Sequence, residues 1–152
     1  MSKYCFAASM GGHLEEIACL KEIARENESF LVTEKGGFQE ISFCNKTRHV
    51  VQINRKEVLF PVKFIRLILE SIGILVKERP DCIISTGALA TCPLCVLAKI
   101  FGKKVVYIES FARVDEPSLT GKIMYHVADL FIVQWKEMMQ FYPNAIYGGG
   151  IF

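Results

Sequence analysis

The chain of 152 residues contains no uninterrupted apolar run close to the ~18 residues of a membrane-spanning helix. Its opening stretch, MSKYCFAAS, has an apolar segment of only about five residues, short of the ~7–15 that a secretory leader requires. The expectation is a chain made and kept in the cytoplasm, with Cys5, Cys19, Cys44, Cys82, Cys92 and Cys95 as reduced, mostly buried thiols. An excess of charge is also missing. The net charge is +2, and no Lys/Arg run interleaved with aromatics occurs, so nucleic acid is not an expected partner. No His/Cys/Asp cluster has metal-ligand spacing, and neither a metal nor another cofactor is expected. There is no internal repeat, low-complexity tract or linker, and the length fits one domain over residues 1–152.

What the sequence does have is core. Hydrophobic residues make up 51% of it and charged residues 22%, a balance that excludes disorder. Apolar runs predict strands at 3–9, 29–33, 48–54, 81–85, 103–109, 130–134 and 145–147. Helical spacing occupies 13–27, where Leu14, Ile17, Ala18, Leu20, Ile23 and Ala24 form one face. Glu15, Glu16, Lys21, Glu22 and Arg25 form the other. Further helices are expected at 58–78, with Pro61 in the first turn and Pro80 past the end, at 92–102 with Gly102 closing it, from near Ser118 to 129, and at 135–142. Residues 34–47 read as a loop turned by Gly36 and Gly37. Alternating strands and helices, with continuously apolar strands such as CIIS and VVYI, predict a Rossmann-like, doubly wound parallel sheet of the α/β class.

In such a sheet ligands bind at the carboxyl ends of the strands. Ser9–His13 follows the first strand and Thr86–Thr91 the fourth, and in the usual strand order these loops flank one crevice. Gly11 and Gly12 leave the start of a helix bare, where unpaired N–H groups favour a phosphate or diphosphate. Ser9 would add a hydroxyl and His13 an imidazole. The loop is neither a Walker A motif nor G-x-G-x-x-G, and a tight turn with a capping histidine explains the spacing equally well.

Three stretches carry a family resemblance: ASMGGHLEE (8–16), STGALATCP (85–93) and YIESFARVDEPSLTGKIMYHVADLFIVQWKEMMQFYPNAIYGG (107–149). Together they resemble the acceptor-side, membrane-anchor subunit of the split UDP-N-acetylglucosaminyltransferase of dolichol-linked oligosaccharide synthesis. They look closer still to its bacterial relatives in capsule and exopolysaccharide assembly, the CpsF- and PssD-like proteins. The resemblance covers nearly the whole chain and is most specific over 107–149. It implies the N-terminal, acceptor-binding half of a GT-B glycosyltransferase, as in MurG. A separate small subunit would supply the C-terminal-type domain that binds the UDP-sugar. The acceptor would be a polyprenyl-diphosphate-linked sugar. Where the family loop usually reads Gly-Ser-Ser/Gly-Gly-Gly-His, this chain has Ala8 and Met10, while Gly11, Gly12 and His13 remain. The eukaryotic members carry an N-terminal membrane anchor not seen here, so membrane contact is expected from the protein's surface or its partner, peripheral at the cytoplasmic face.

Within that frame His13 is the candidate base or diphosphate ligand. Glu109 is the candidate catalytic carboxylate, orienting a sugar hydroxyl or His13, with a salt bridge or cap as the alternative. Ser9, Gly11, Gly12, Thr86, Gly87 and Arg113 are candidate acceptor or phosphate contacts, and Arg113 could instead pair with Asp115 or Glu116. His49 and His126 read as structural. In the 58–78 helix, Phe64, Leu67, Ile68, Ser71, Ile72 and Leu75 form a core stripe. Phe60, Ile65, Leu69 and Val76 stay outside it near Lys63, Arg66 and Lys77, a pattern suited to a membrane or partner. Two rivals stand: a stand-alone Rossmann-like nucleotide-binding enzyme, and a thiol oxidoreductase using Cys92-Pro93-Leu94-Cys95.

Overall fold

A computed structural model describes residues 1–36 and 41–152; Gly37, half of the expected turn signal, lies outside the described residues. Seven parallel strands form one sheet in the order β3-β2-β1-β4-β5-β6-β7. They are β1 (Lys3–Ala8), β2 (Glu28–Glu34), β3 (Thr47–Val50), β4 (Cys82–Gly87), β5 (Lys104–Ile108), β6 (Leu130–Val133) and β7 (Ile146–Tyr147). The helices are α1 (Gly12–Ala18), α2 (Lys21–Arg25), α3 (Phe60–Glu78), α4 (Cys92–Ile100) and α5 (Leu119–Val127), with single 3₁₀ turns at Leu89–Thr91 and Lys136–Gln140. The expected Rossmann-like α/β class is the one observed, and β1 and β4 are neighbours.

Alternation along the strands divides the core in two. Cys5, Ala7, Phe30, Val32, Ile83, Val105 and Tyr107 point to one face, where Leu67, Leu75, Leu94, Ala98 and Met124 from α3, α4 and α5 cover them. Phe6, Ala8, Leu31, Ile84 and Ile108 point to the other, under Leu14 and Ile17 of α1 and Ala24 of α2. Burial on both faces is what continuous apolar strands require.

Three local expectations change. The single helix over 13–27 is two short ones, because the N–H groups of Cys19 and Leu20 bond three residues back, to Glu16 and Ile17, and tighten the chain out of the α-helix. The strand expected at 48–54 stops at Val50. Beyond it the Val51 and Ile53 N–H groups donate to the Glu70 and Glu34 carboxylates, at 2.7 and 3.3 Å, instead of to the backbone carbonyls of a neighbouring strand. Glu16, expected on the solvent side, is only 3% exposed. It accepts hydrogen bonds from Ser110 Oγ, the Phe111 N–H and Gln134 Nε2. Burial pushes its carboxyl up, and those donors pull it back part of the way. Glu16 thereby fastens the loop after β5 to α1.

Candidate functional site

The β1–α1 turn is built around Gly11, whose φ of 80° suits glycine. Gly12 has no such constraint, and a Cβ placed on it would meet nothing within 4 Å. Neither torsion nor packing inside the chain calls for glycine at position 12. His13 follows, and it is held from β4. Its Nδ1–H donates to the Thr86 carbonyl at 2.9 Å, and Thr86 Oγ donates to the His13 carbonyl at 2.7 Å. A carbonyl only accepts, so Nδ1 carries a proton, and in the uncharged form of the ring the lone pair is on Nε2.

Gly87 makes this pairing possible. Its φ is 115°, and a Cβ there would stand 2.9 Å from the Tyr107 hydroxyl and 3.3 Å from His13 Cε1. Ala88 follows with φ 79° and ψ 154°, a region nearly reserved for glycine and costing a side chain ~1–3 kcal/mol.

A cavity of about 440 Å³ opens beside His13, at the carboxyl ends of the central strands. Its wall runs from Arg55 after β3, through Ala88 and Leu89 after β4, to Tyr107, Ser110 and Arg113, and closes on Ser118, Leu119 and Thr120 at the start of α5. No carboxylate belongs to this lining. Among the described residues, Arg55 and Arg113 have no ion-pair partner, and Arg113 does not pair with Asp115 or Glu116. The crevice is therefore cationic and rich in hydroxyls, a chemistry suited to an anion that also carries hydrogen-bonding groups. Burial, followed by the charge of Glu109, pushes the Tyr107 phenol well up, so it stays protonated and a donor.

The candidate residues divide. His13, Gly87 and Arg113 meet at this cavity. Thr86 is fully buried, and its hydroxyl is engaged by His13. Ser9 turns away, donating to Glu34 Oε2 at 3.1 Å. Met10 lines a separate hollow of about 320 Å³ on the other side of the turn. Glu109 does not face the crevice: it is 1% exposed and accepts from the Ser110 N–H, the Ser118 N–H and hydroxyl, and the Tyr142 hydroxyl. Its role in the fold is to anchor Ser118, whose Oγ in turn caps α5 through the Gly121 N–H at 2.8 Å. Arg55, Tyr107 and Thr120 were not singled out from sequence. Each lies at or just beyond the carboxyl end of a strand, or on the helix that follows, and extending the carboxyl-end rule to every loop would have flagged them.

On α3, Val62, Ile65, Leu69 and Val76 are exposed apolar residues, and Val58 and Leu59, just before the helix, are exposed as well. Phe60 is half-buried and stacks on Phe64. Lys63 pairs with Glu57 and Arg66 with Glu70, so the two cations expected to attract a membrane are already compensated; Lys77 has no such partner among the described residues. Cys92 and Cys95 are buried, and burial pushes both thiols up, which removes the thiolate that redox exchange needs.

One Rossmann-like half of a GT-B architecture, with a cationic crevice at the carboxyl edge of its sheet, is the class that fold and site define. Over 99% of its length the chain superposes on UDP-N-acetylglucosamine 2-epimerase from Rickettsia bellii, with a TM-score of 0.77, 15% identity and coverage of 45% of that protein. It superposes equally completely on MurG from Acinetobacter baumannii, at 0.72, 14% and 44%. The chain belongs to the family described as "Oligosaccharide biosynthesis protein Alg14 like", which matches residues 5–151. It is 42% identical over 81 residues to the rat "UDP-N-acetylglucosamine transferase subunit ALG14", a match over 49% of this chain and 38% of that one. To the Schizosaccharomyces pombe protein of the same description it is 45% identical over 75 residues, 46% and 36% of the two chains. The matches thus span well under half of those relatives.

Proposed function

We propose that the chain is the acceptor-recognising subunit of a two-protein inverting glycosyltransferase in lipid-linked oligosaccharide, capsule or exopolysaccharide synthesis. Its partner is a small GT-B C-terminal-type subunit that binds the UDP-sugar. Its acceptor is a polyprenyl-diphosphate-linked sugar, and it sits peripherally on the cytoplasmic face of a membrane. The observation that carries this reading is the cationic crevice beside His13, with no carboxylate in its lining, in a domain that superposes on 44% of MurG. A GT-B reaction takes place between two Rossmann-like domains, and residues 1–152 form one such domain.

In this reading the acceptor's diphosphate enters beside His13, with the bare Gly11–Gly12 turn allowing close approach and Arg113 countering its charge. Neutral His13 has Nε2 free to accept the proton of the attacking sugar hydroxyl, its ring held by Thr86. Glu109 acts indirectly, by fixing the loop and helix start that wall the crevice. The α3 stripe, preceded by the exposed Val58 and Leu59 of the connection that carries Arg55, takes the lipid side. The test is co-expression with a candidate donor-binding subunit and transfer from radiolabelled UDP-N-acetylglucosamine to a polyprenyl-diphosphate-sugar. Transfer requiring both chains is expected; transfer by this chain alone would favour the stand-alone nucleotide-binding enzyme.

A further inference from the structure

The cationic crevice contains a feature that the glycine turn does not supply. Helix α5 starts in its wall, and its first N–H groups, those of Leu119 and Thr120, have no acceptor in their own helix. Ser118 Oγ satisfies the next one, Gly121. Thr120 lines the cavity although it is only 5% exposed. Its hydroxyl makes no hydrogen bond with the described residues, whereas the neighbouring Ser110 and Ser118 hydroxyls are both engaged. The Thr120 hydroxyl thus opens onto the cavity with no partner among the described residues, next to two N–H groups without an acceptor in their own helix.

Two guanidinium groups contribute to the same cavity from different connections, Arg55 from between β3 and α3 and Arg113 from between β5 and α5. Neither is neutralised by a carboxylate among the described residues. The carboxylates beneath the crevice are occupied: Glu109 turns its oxygens to Ser110, Ser118 and Tyr142, and Glu16 to Ser110, Phe111 and Gln134.

We propose that Arg55, Arg113 and Thr120, with the first turn of α5, form a seat for a phosphoryl or diphosphoryl group. One phosphoryl oxygen accepts from the Thr120 hydroxyl and the α5 N–H groups, while the two guanidiniums hold the charge from opposite sides. The seat deepens the acceptor reading, on which its assignment to the acceptor's diphosphate rests. It places one phosphoryl group against α5 and leaves the other to the side of the Gly11–Gly12 turn, with His13 Nε2 at the edge of the same space.

The test is titration of the purified chain with inorganic pyrophosphate by calorimetry. Wild-type protein is expected to bind. Arg55→Ala, Arg113→Ala and the near-isosteric Thr120→Val are each expected to weaken binding about tenfold or more, the loss of one hydrogen bond to a charged group. Arg25→Ala, which removes a surface cation remote from the cavity, should leave binding unchanged. Both arginines are exposed, so their variants retain the fold even if Thr120→Val does not. A wild type that ignores pyrophosphate, or arginine variants that bind as well as wild type, would overturn the seat. Intact pyrophosphate binding without any transfer in the two-chain assay would sink the glycosyltransferase reading and leave the seat standing.

Discussion

His13 and Thr86, 73 residues apart, hold each other by two hydrogen bonds, imidazole to carbonyl and hydroxyl to carbonyl. The pair locks the β1–α1 turn to the end of β4 and fixes which imidazole nitrogen remains free. This separates two roles for His13. An asparagine side chain in its place would keep an amide N–H able to reach the Thr86 carbonyl but has no basic nitrogen where Nε2 stands. If His13 is the base, His13→Ala and His13→Asn should both lower kcat by ~10² or more. If it only binds or orients, His13→Asn should stay near wild type and His13→Ala should chiefly raise the acceptor KM. Steady-state kinetics of the assembled pair decide between them.

Gly12 and Gly87 make opposite predictions. Position 12 has ordinary torsions and open space, so Gly12→Val should leave the melting temperature nearly unchanged while abolishing transfer by blocking close approach to the turn. Gly87→Ala places a methyl 2.9 Å from the Tyr107 hydroxyl at a φ of 115°. It should destabilise by ~1–3 kcal/mol in urea denaturation. Transfer by folded Gly12→Val at the wild-type rate would remove the glycine turn from the site.

Glu109→Gln tests whether that carboxylate is structural. A glutamine offers one acceptor oxygen where Ser110, Ser118 and Tyr142 present four donor contacts, and its NH₂ faces donors. A loss of ~1–3 kcal/mol is expected from the unmet groups, together with loosening of α5. Gly121→Ala should act on the same place, because its Cβ would collide with Glu109 Oε2. A fully stable Glu109→Gln variant that lacks activity would return Glu109 to the catalytic group.

Glu78 governs a pH dependence. It is buried at the end of α3 and faces Lys3, Lys46 and Arg48, which hold its carboxyl down to about 2 from an ordinary 4.5. The native value lies below the unfolded one. Its contribution is therefore complete above pH 4.5 and is lost as pH falls through 4.5 toward 2. Glu78→Gln should cost ~1–3 kcal/mol at neutral pH, because its cationic partners are partly exposed and regain water when the carboxylate is lost. It should also flatten the acid limb of the stability profile followed by circular dichroism.

The sheet was legible because its strands are apolar throughout, as CIIS in β4 and VVYI in β5 are, and two-sided burial leaves that mark. The end of α4 was legible because Gly102 takes φ 73° past the last turn. The site was only half legible. His13 and the glycines stood out by residue type. The roles of Glu16 and Glu109 did not, because a carboxylate satisfied by Ser110 and Gln134, or by Ser118 and Tyr142, meets partners that are remote in sequence. Arg55 and Thr120 were missed for the same reason: chain folding, and no local pattern, brings them to one cavity.

The stripe on α3 gives the last prediction. Val62, Ile65 and Leu69 recur every three or four residues on the side away from the core, each at least 60% exposed. A helix facing water normally places polar side chains on that side. With Lys63 and Arg66 already paired to Glu57 and Glu70, attraction to a bilayer should depend more on buried apolar area than on those charges. Flotation with vesicles containing anionic lipid should recover the wild-type chain. Ile65→Asp with Leu69→Asp should abolish recovery without lowering the melting temperature, because neither side chain contributes to the core. Lys63→Glu with Arg66→Glu should weaken it to a smaller extent. Wild-type protein that stays at the bottom of the gradient would discard the membrane and leave the stripe as a protein interface. Recovery lost only in the charge-reversed variant would show that electrostatics, not the apolar stripe, provides the contact.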